Sequence, residues 1–135
     1  MSYPITDIEG IDDDAAATLK SVGIRSTERL LEAARTVKGR KTLAGRTGFD
    51  EKQLLCWANV ADRMRIKGIS KEYAELLQAA GVDTVKELKY RNPANLASAM
   101  ADANKKRKMV RLLPSEKVVC RWIEHAKKLP LKITY

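Results

Sequence analysis

The sequence predicts an all-α fold made of two pseudo-symmetric helix-hairpin-helix halves, packed as one compact domain. Its main evidence is a tandem repeat: residues 8–24 (IEGIDDDAAATLKSVGI) align without a gap on residues 66–82 (IKGISKEYAELLQAAGV), at an offset of 58. Apolar residues in each copy follow the i, i+3, i+4, i+7 spacing of a helix face. Glycine and proline, at seven and four residues, are too sparse for a turn-rich β fold. We expect the two halves at residues 1–65 and 66–135.

Helix boundaries recur in both copies. Gly23 and Gly81 stand where a helix would end in the left-handed conformation. Ser26 and Thr84 follow as N-caps of the next helix, and the sequence TVKE that begins at Thr84 has the spacing of a capping box. The first helix therefore has a matching predicted end in the two copies, and the second helix has a matching predicted start.

The last helix of each copy carries a tryptophan on its apolar face. The offset there rises from 58 to 65 residues, so the second copy has seven extra residues, which we place within 95–111. Asn92-Pro93 predicts an N-cap followed by proline in the first turn of the preceding helix. We expect both tryptophans in the core, within the faces Leu54, Trp57, Ala58, Ala61 and Val119, Trp122, Ile123, Ala126.

Four connections combine a tight turn, a capping residue and a following helix. In each of them a final Asp or Ser would accept a hydrogen bond from the opening amides of that helix. Glycine permits the tight backbone in three of them, and the apolar residue after it would point inward. Two helices joined in this way form a helix-hairpin-helix. The four predicted hairpins are EGID (9–12), TGFD (47–50), KGIS (67–70) and LLPS (112–115).

The net charge of +9 is concentrated in the second half. Residues 1–65 contain 11 Lys and Arg against 10 Asp and Glu, a net of +1, whereas residues 66–135 contain 15 against 7, a net of +8. This asymmetry favours an anionic partner, with nucleic acid ahead of a membrane, over a merely soluble basic surface.

Two segments of the basic half are the candidate nucleic-acid contacts. The third hairpin combines backbone donors, a hydroxyl and two cations, and the insertion (NKKRKMVR) holds a dense cluster of cations. An ordinary turn and a solvated basic face remain the structural alternatives. No aromatic residues interleave the cluster, which favours a duplex backbone over single strands. The candidate residues are Lys67, Gly68, Ile69, Ser70, Lys71, Lys105, Lys106, Arg107, Lys108, Arg111 and, after the fourth hairpin, Lys117.

The first hairpin has the opposite charge. Glu9 and residues 12–14, all aspartate, would place up to four carboxylates around a phosphate site. Like charges a few ångströms apart repel by about 1 kcal/mol per pair even in water. We predict that this hairpin avoids nucleic acid and either docks on a basic protein partner or stabilises its own helix.

Several functional classes find no support in the sequence. It has no glycine-rich phosphate loop and no nucleophile in an activating context, so we expect no enzyme, cofactor or small-molecule substrate. Two separated cysteines, Cys56 and Cys120, and the single His125 do not form a metal motif. We expect buried thiols, a surface histidine without a catalytic partner, no membrane segment and a cytoplasmic location.

The third hairpin also resembles known proteins. The segment IKGISKEYAELLQAAGVDTVKEL is similar to the helix-hairpin-helix units of DNA repair and recombination proteins, notably the small N-terminal domain of Rad51-type recombinases. The whole chain, from IEGI through RNPAN and PSEKVV to AKKLP and the terminal TY, resembles a bacterial family of tandem helix-hairpin-helix proteins classed as a domain of unknown function.

This resemblance implies sequence-independent contact with a phosphate backbone. Nucleic-acid-binding members usually have Gly-apolar-Gly in the hairpin, whereas the second glycine position here is Asp12, Asp50 or Ser70, and the fourth hairpin has Pro114. We therefore expect a non-catalytic accessory protein that binds duplex DNA, with a protein partner possible through the first half. The alternative is a protein–protein adapter that binds no nucleic acid.

Overall fold

A computed structural model describes residues 2–135, and its regular structure is helical. No β-strand occurs in this range, although Pro4 and Ser26 form an isolated antiparallel bridge. The all-α prediction is confirmed. The elements are a 3₁₀ turn (Ile5–Asp7) and the helices α1 (Asp13–Ser21), α2 (Thr27–Ala34), α3 (Val37–Thr47), α4 (Glu51–Arg63), α5 (Lys71–Ala79), α6 (Val85–Lys89), α7 (Pro93–Arg107) and α8 (Glu116–Lys128).

The chain divides into two compact units. Unit 1 comprises Met1–Arg65 and Lys132–Tyr135, and unit 2 comprises Ile66–Leu131. The C-terminal residues Lys132–Tyr135 therefore belong to unit 1, although they follow unit 2 in the sequence.

Unit 1 is built around α2 and α4, which pack against each other and against α3. Trp57 is only 3% exposed, and it extends from α4 into a core of aliphatic side chains. The ring of Phe49 meets it edge-on, with 5.1 Å between centroids. Other fully buried residues of unit 1 include Leu19, Leu30, Leu31, Ala34, Leu54 and Ala58.

Unit 2 is built around α8, which packs against α6 and α7, while α5 packs against α7. Trp122 is 2% exposed, so both tryptophans lie in cores, as the sequence predicts. The apolar face of α8 is buried together with residues of the other three helices, among them Ala74, Leu76, Leu77, Val85, Leu88, Leu96 and Met100.

The predicted helix boundaries are present. Gly23 and Gly81 follow α1 and α5 with φ values of 86° and 96°, a region that suits glycine because it lacks a Cβ. The Ser26 hydroxyl accepts a hydrogen bond from the Arg29 amide at 3.2 Å. The Thr84 hydroxyl accepts one from the Glu87 amide at 3.0 Å.

The C-terminal residues Lys132–Tyr135 form a strap on unit 1. The Thr134 amide donates to the Arg35 carbonyl at 2.8 Å. The Thr134 carbonyl accepts from the guanidinium of Arg40 at 2.7 Å, and that guanidinium is buried at 4% exposure. Two side-chain hydrogen bonds lie on either side of Thr134 in the strap: Lys132 donates to Glu32 at 2.6 Å, and the Tyr135 hydroxyl contacts Asn59 at 2.9 Å.

A buried carboxylate lies at the end of α4. Asp62 is 5% exposed, and its Oδ1 accepts a hydrogen bond from Arg65 Nε at 2.6 Å. Burial raises the pKa of Asp62 above its ordinary value, although the Arg65 guanidinium acts in the opposite direction. A raised pKa means that the folded state holds this proton more tightly than the unfolded chain does.

The Asp62→Asn variant should therefore show a pH-dependent loss of stability. The contribution of the proton is complete below the unfolded pKa of about 3.9 and is lost as the pH rises through the raised folded pKa. We expect the destabilisation caused by the variant to be larger at pH 4 than at pH 7. Urea unfolding of both proteins at the two pH values measures this difference. A larger destabilisation at pH 7 would contradict the direction of the pKa shift.

Candidate nucleic-acid interface

The turn Lys67–Ser70 has the tight backbone that the sequence predicts. Gly68 has a φ of 93°, and the Ile69 amide donates to the Ile66 carbonyl at 3.0 Å. Ile69 is fully buried, whereas Lys67, Gly68 and Ser70 are exposed. The isoleucine therefore anchors the turn in unit 2, and the backbone on either side of it faces solvent.

The N-terminus of α5 lacks the side-chain cap that we expected from Ser70. Its backbone is extended, with φ −99° and ψ −169°, but its hydroxyl accepts no bond from the first turn. At the start of α1, by contrast, Asp12 accepts from the Ala15 amide at 2.8 Å. Each of the other α-helices in residues 2–135 also has a side-chain cap. The opening amides of α5 thus receive no acceptor from their capping residue.

Trp122 supports the turn from beneath. A Cβ placed on Gly68 would lie 3.1 Å from the indole Nε1, so a side chain there would crowd the ring, and the φ of 93° also favours glycine. The ring of Tyr73 in α5 packs against the same indole, with 5.3 Å between centroids. The Tyr73 hydroxyl donates to the Leu112 carbonyl at 2.8 Å. One aromatic pair therefore connects the turn, α5 and the connection before α8.

His125 contacts the turn directly. The backbone amide of Lys67 donates to His125 Nδ1 at 3.2 Å. The histidine is half-buried. The sequence analysis did not find this contact, because the two residues lie 58 positions apart in the chain and no local pattern links them.

The basic cluster of the insertion spans a helix end and a loop. Lys105, Lys106 and Arg107 are exposed in the last turn of α7, and Lys108 ends the helix with a φ of 48°. The Asn104 side chain fixes the loop that follows, since its Oδ1 accepts from the Val110 amide at 3.0 Å and its Nδ2 donates to the Val110 carbonyl at 3.2 Å. This clamp holds the loop in one conformation.

Two of the cluster residues lie beside the start of α5. Lys108 and Arg111 line a groove of about 520 Å³ together with Glu72 and Tyr73 of the first turn. The structure therefore brings part of the insertion beside the first turn of α5. The remaining predicted cations, Lys105, Lys106, Arg107 and Lys117, are exposed but do not line this groove.

A second groove, of about 510 Å³, lies between the third turn and α8. Arg121 is an exposed cation in it that the sequence analysis missed. The available signal was its spacing of four residues from His125, which places both side chains on the same face of a helix. The groove is lined by Lys67, Gly68, Val118, Arg121, Trp122 and His125.

The first turn has the same type of backbone but different chemistry. Gly10 has a φ of 92°, and a Cβ there would lie 3.3 Å from Nε1 of Trp57. Glu9 and the aspartates at 12–14 are exposed. With Asp12 capping α1 and two further aspartates in its first turn, the carboxylates stabilise the N-terminus of their own helix.

A metal cluster and a membrane-spanning helix are both absent from the described part of the chain. No cluster of three or more His, Cys, Asp or Glu side chains there is arranged to hold a metal ion. Across the same residues, no helix has the length and apolar character needed to cross a bilayer. The expectation of buried thiols was wrong, because Cys56 is exposed and Cys120 is half-buried.

Comparison with known proteins gave one match. The model of the family described as Domain of unknown function (DUF4332) matches residues 9–129. Searches of curated proteins and of solved structures found no significant match.

Proposed function

The chain belongs to the family described as Domain of unknown function (DUF4332), and from that premise we propose that it binds nucleic acid as a non-catalytic accessory protein. The ligand is chiefly the phosphate backbone of duplex DNA, contacted without reading the base sequence. The contacts lie in unit 2, and unit 1 is structural or recruits a protein partner.

The scaffold in this proposal is a tandem pair of helix-hairpin-helix units. Several local features support the pairing. Helices α1 and α5 have the same bounds at an offset of 58, and α4 and α8 have the same bounds at an offset of 65. Gly10 and Gly68 have φ values of 92° and 93° and each lies against a tryptophan indole. The duplicated turn thus provides a common backbone frame, on which the side chains of each unit decide whether an anion can bind.

The observation that carries the proposal is the open N-terminus of α5 between two exposed lysines. The first amides of any helix lack intrahelical partners, and the helix dipole favours an anion beside them. Ser70 leaves those amides without a side-chain acceptor, and Lys67 and Lys71 add positive charge on either side. A backbone phosphate satisfies both the amides and the lysines.

Unit 1 lacks this combination at the equivalent turn. Asp12 already occupies an amide of α1, and Glu9 stands where unit 2 has Lys67. Repulsion between these carboxylates and a phosphate explains why we assign binding to unit 2 alone.

Fluorescence anisotropy with a labelled DNA duplex tests the proposal. A few phosphate contacts predict binding of about micromolar affinity or weaker, with a log–log salt slope near −0.9 per contact, and so of about −3 to −5 for one unit. Absence of binding even at low salt would contradict the nucleic-acid function.

The double variant Lys67→Gln/Lys71→Gln should weaken duplex binding and reduce the magnitude of the salt slope by about 1.8, since two contacts are lost. The matched control is Lys38→Gln/Lys41→Gln in α3, which removes two exposed charges from unit 1. Equal weakening by both double variants would refute a local site, because it would indicate only a dependence on total charge.

A protein–protein adapter is the second candidate. The exposed acidic turn at residues 9–14 favours it, because this surface complements a basic protein. Under this alternative the protein would not bind duplex DNA, and neither double variant would change any measurement made with DNA.

A further inference from the structure

We propose that a second backbone phosphate, next to the one at the start of α5, sits in the groove between the third turn and α8, held by the side chains of Lys67 and Arg121 and by the Nε2–H of His125. The inference rests on the proposed function, because it takes the phosphate to belong to a nucleic acid. It assigns two residues, Arg121 and His125, that neither the hairpin nor the basic cluster contains.

The hydrogen bond to the turn fixes which nitrogen of His125 is free to donate. A backbone amide can only donate, so Nδ1, at 3.2 Å from the Lys67 nitrogen, accepts. A neutral imidazole that accepts at Nδ1 carries its proton at Nε2. His125 lines the groove. Its remaining nitrogen, Nε2, therefore carries a hydrogen that can be donated to an anion.

The charge of the groove is complementary to a phosphate. Arg121 in α8 offers a planar set of donors suited to two phosphate oxygens, and Lys67 in the turn adds a compact cation. Among the described residues that line this groove there is no carboxylate. The groove beside Lys108 and Arg111, by contrast, includes Glu72.

Comparison with unit 1 indicates that the scaffold does not need these three side chains. At offsets of 58 and 65 residues, Lys67, Arg121 and His125 correspond to Glu9, Cys56 and Val60. The glycine and the tryptophan beneath the turn occur in both units. The glycine and the tryptophan, which the two units share, support the turn. The three side chains that differ supply two cations and a hydrogen-bond donor in unit 2 only.

The single histidine of the chain makes the inference measurable by NMR. Long-range ¹H–¹⁵N spectra of the free protein at neutral pH should show the Nε2–H tautomer. Adding a short DNA duplex should shift the Nε2 resonance, because that nitrogen then donates to a phosphate. In parallel, Arg121→Gln should reduce the magnitude of the duplex salt slope by about 0.9. Lys128→Gln, an exposed change on α8 outside the groove, should leave the slope unaltered.

The possible results separate this inference from the proposed function. Duplex binding with an unmoved imidazole and an unchanged Arg121→Gln slope would overturn the phosphate position and leave the general function standing. Failure of the wild-type protein to bind a duplex would overturn both. An imidazole that responds to inorganic phosphate but not to DNA would also overturn it, since the occupant would be a free anion.

Discussion

Replacing Trp122 with alanine is expected to lower the free energy of unfolding of unit 2 by about 3–5 kcal/mol, the range for truncating a buried tryptophan. The side chain is 2% exposed on the central helix of the unit. It packs against the ring of Tyr73 and under the backbone of Gly68. The cavity left behind would therefore remove support from the core and from the third turn together.

Each unit contains one tryptophan, which makes the effect easy to localise. In Trp122→Ala the emission comes from Trp57 alone and reports on unit 1. We expect urea unfolding followed by circular dichroism to begin earlier than the change in Trp57 emission. Trp122→Phe is the control, because it retains a ring and should be destabilised less. A loss below about 1 kcal/mol in the alanine variant would show that the indole does not organise unit 2.

The Trp122→Ala variant should also weaken DNA binding, for a different reason from Lys67→Gln/Lys71→Gln. Trp122→Ala displaces the turn that carries the open amides, so binding falls together with stability. Lys67→Gln/Lys71→Gln removes exposed charges, and its thermal unfolding should remain close to that of the wild-type protein. The comparison separates the framework of the site from its contacts.

The features that the sequence predicted well depend on short-range patterns. Helix faces follow from a spacing of three and four residues, and caps from a polar residue next to an apolar run. The burial of Trp57 and Trp122 was predicted from these apolar faces. The left-handed glycines Gly23 and Gly81 were readable because few other residues tolerate that conformation.

The features it missed depend on pairs distant in the chain. The Lys67 amide donates to His125, and the Arg40 guanidinium donates to the carbonyl of Thr134, which lies 94 residues away. No periodicity encodes such a pair. Ser70 was predicted wrongly for another reason: its residue type and position suit a cap, yet its hydroxyl makes no such bond, so residue type and position do not by themselves determine a cap.

Deleting Lys132–Tyr135 is expected to lower the free energy of unfolding of unit 1 by about 3 kcal/mol. The deletion removes the backbone bond from Thr134 to Arg35 and one of the acceptors of the buried Arg40 guanidinium, which still donates to the Ala34 carbonyl. A neutral hydrogen bond contributes about 0.5–1.5 kcal/mol and one to a charged group about 1.5–3 kcal/mol. The surface pair of Lys132 and Glu32 adds at most about 1 kcal/mol.

The measurement is urea unfolding in the Trp122→Phe background, where emission comes from Trp57 in unit 1. Thr134→Ala is the matched control: it keeps both backbone bonds of the strap, so its stability should change by less than about 0.5 kcal/mol. Arg40→Met combined with the deletion should destabilise less than the sum of the two changes, because Arg40 and Thr134 share one bond. Full additivity would mean that the bond between Arg40 and Thr134 does not stabilise unit 1. A deletion variant as stable as the parent would mean that the whole strap lies on unit 1 without stabilising it.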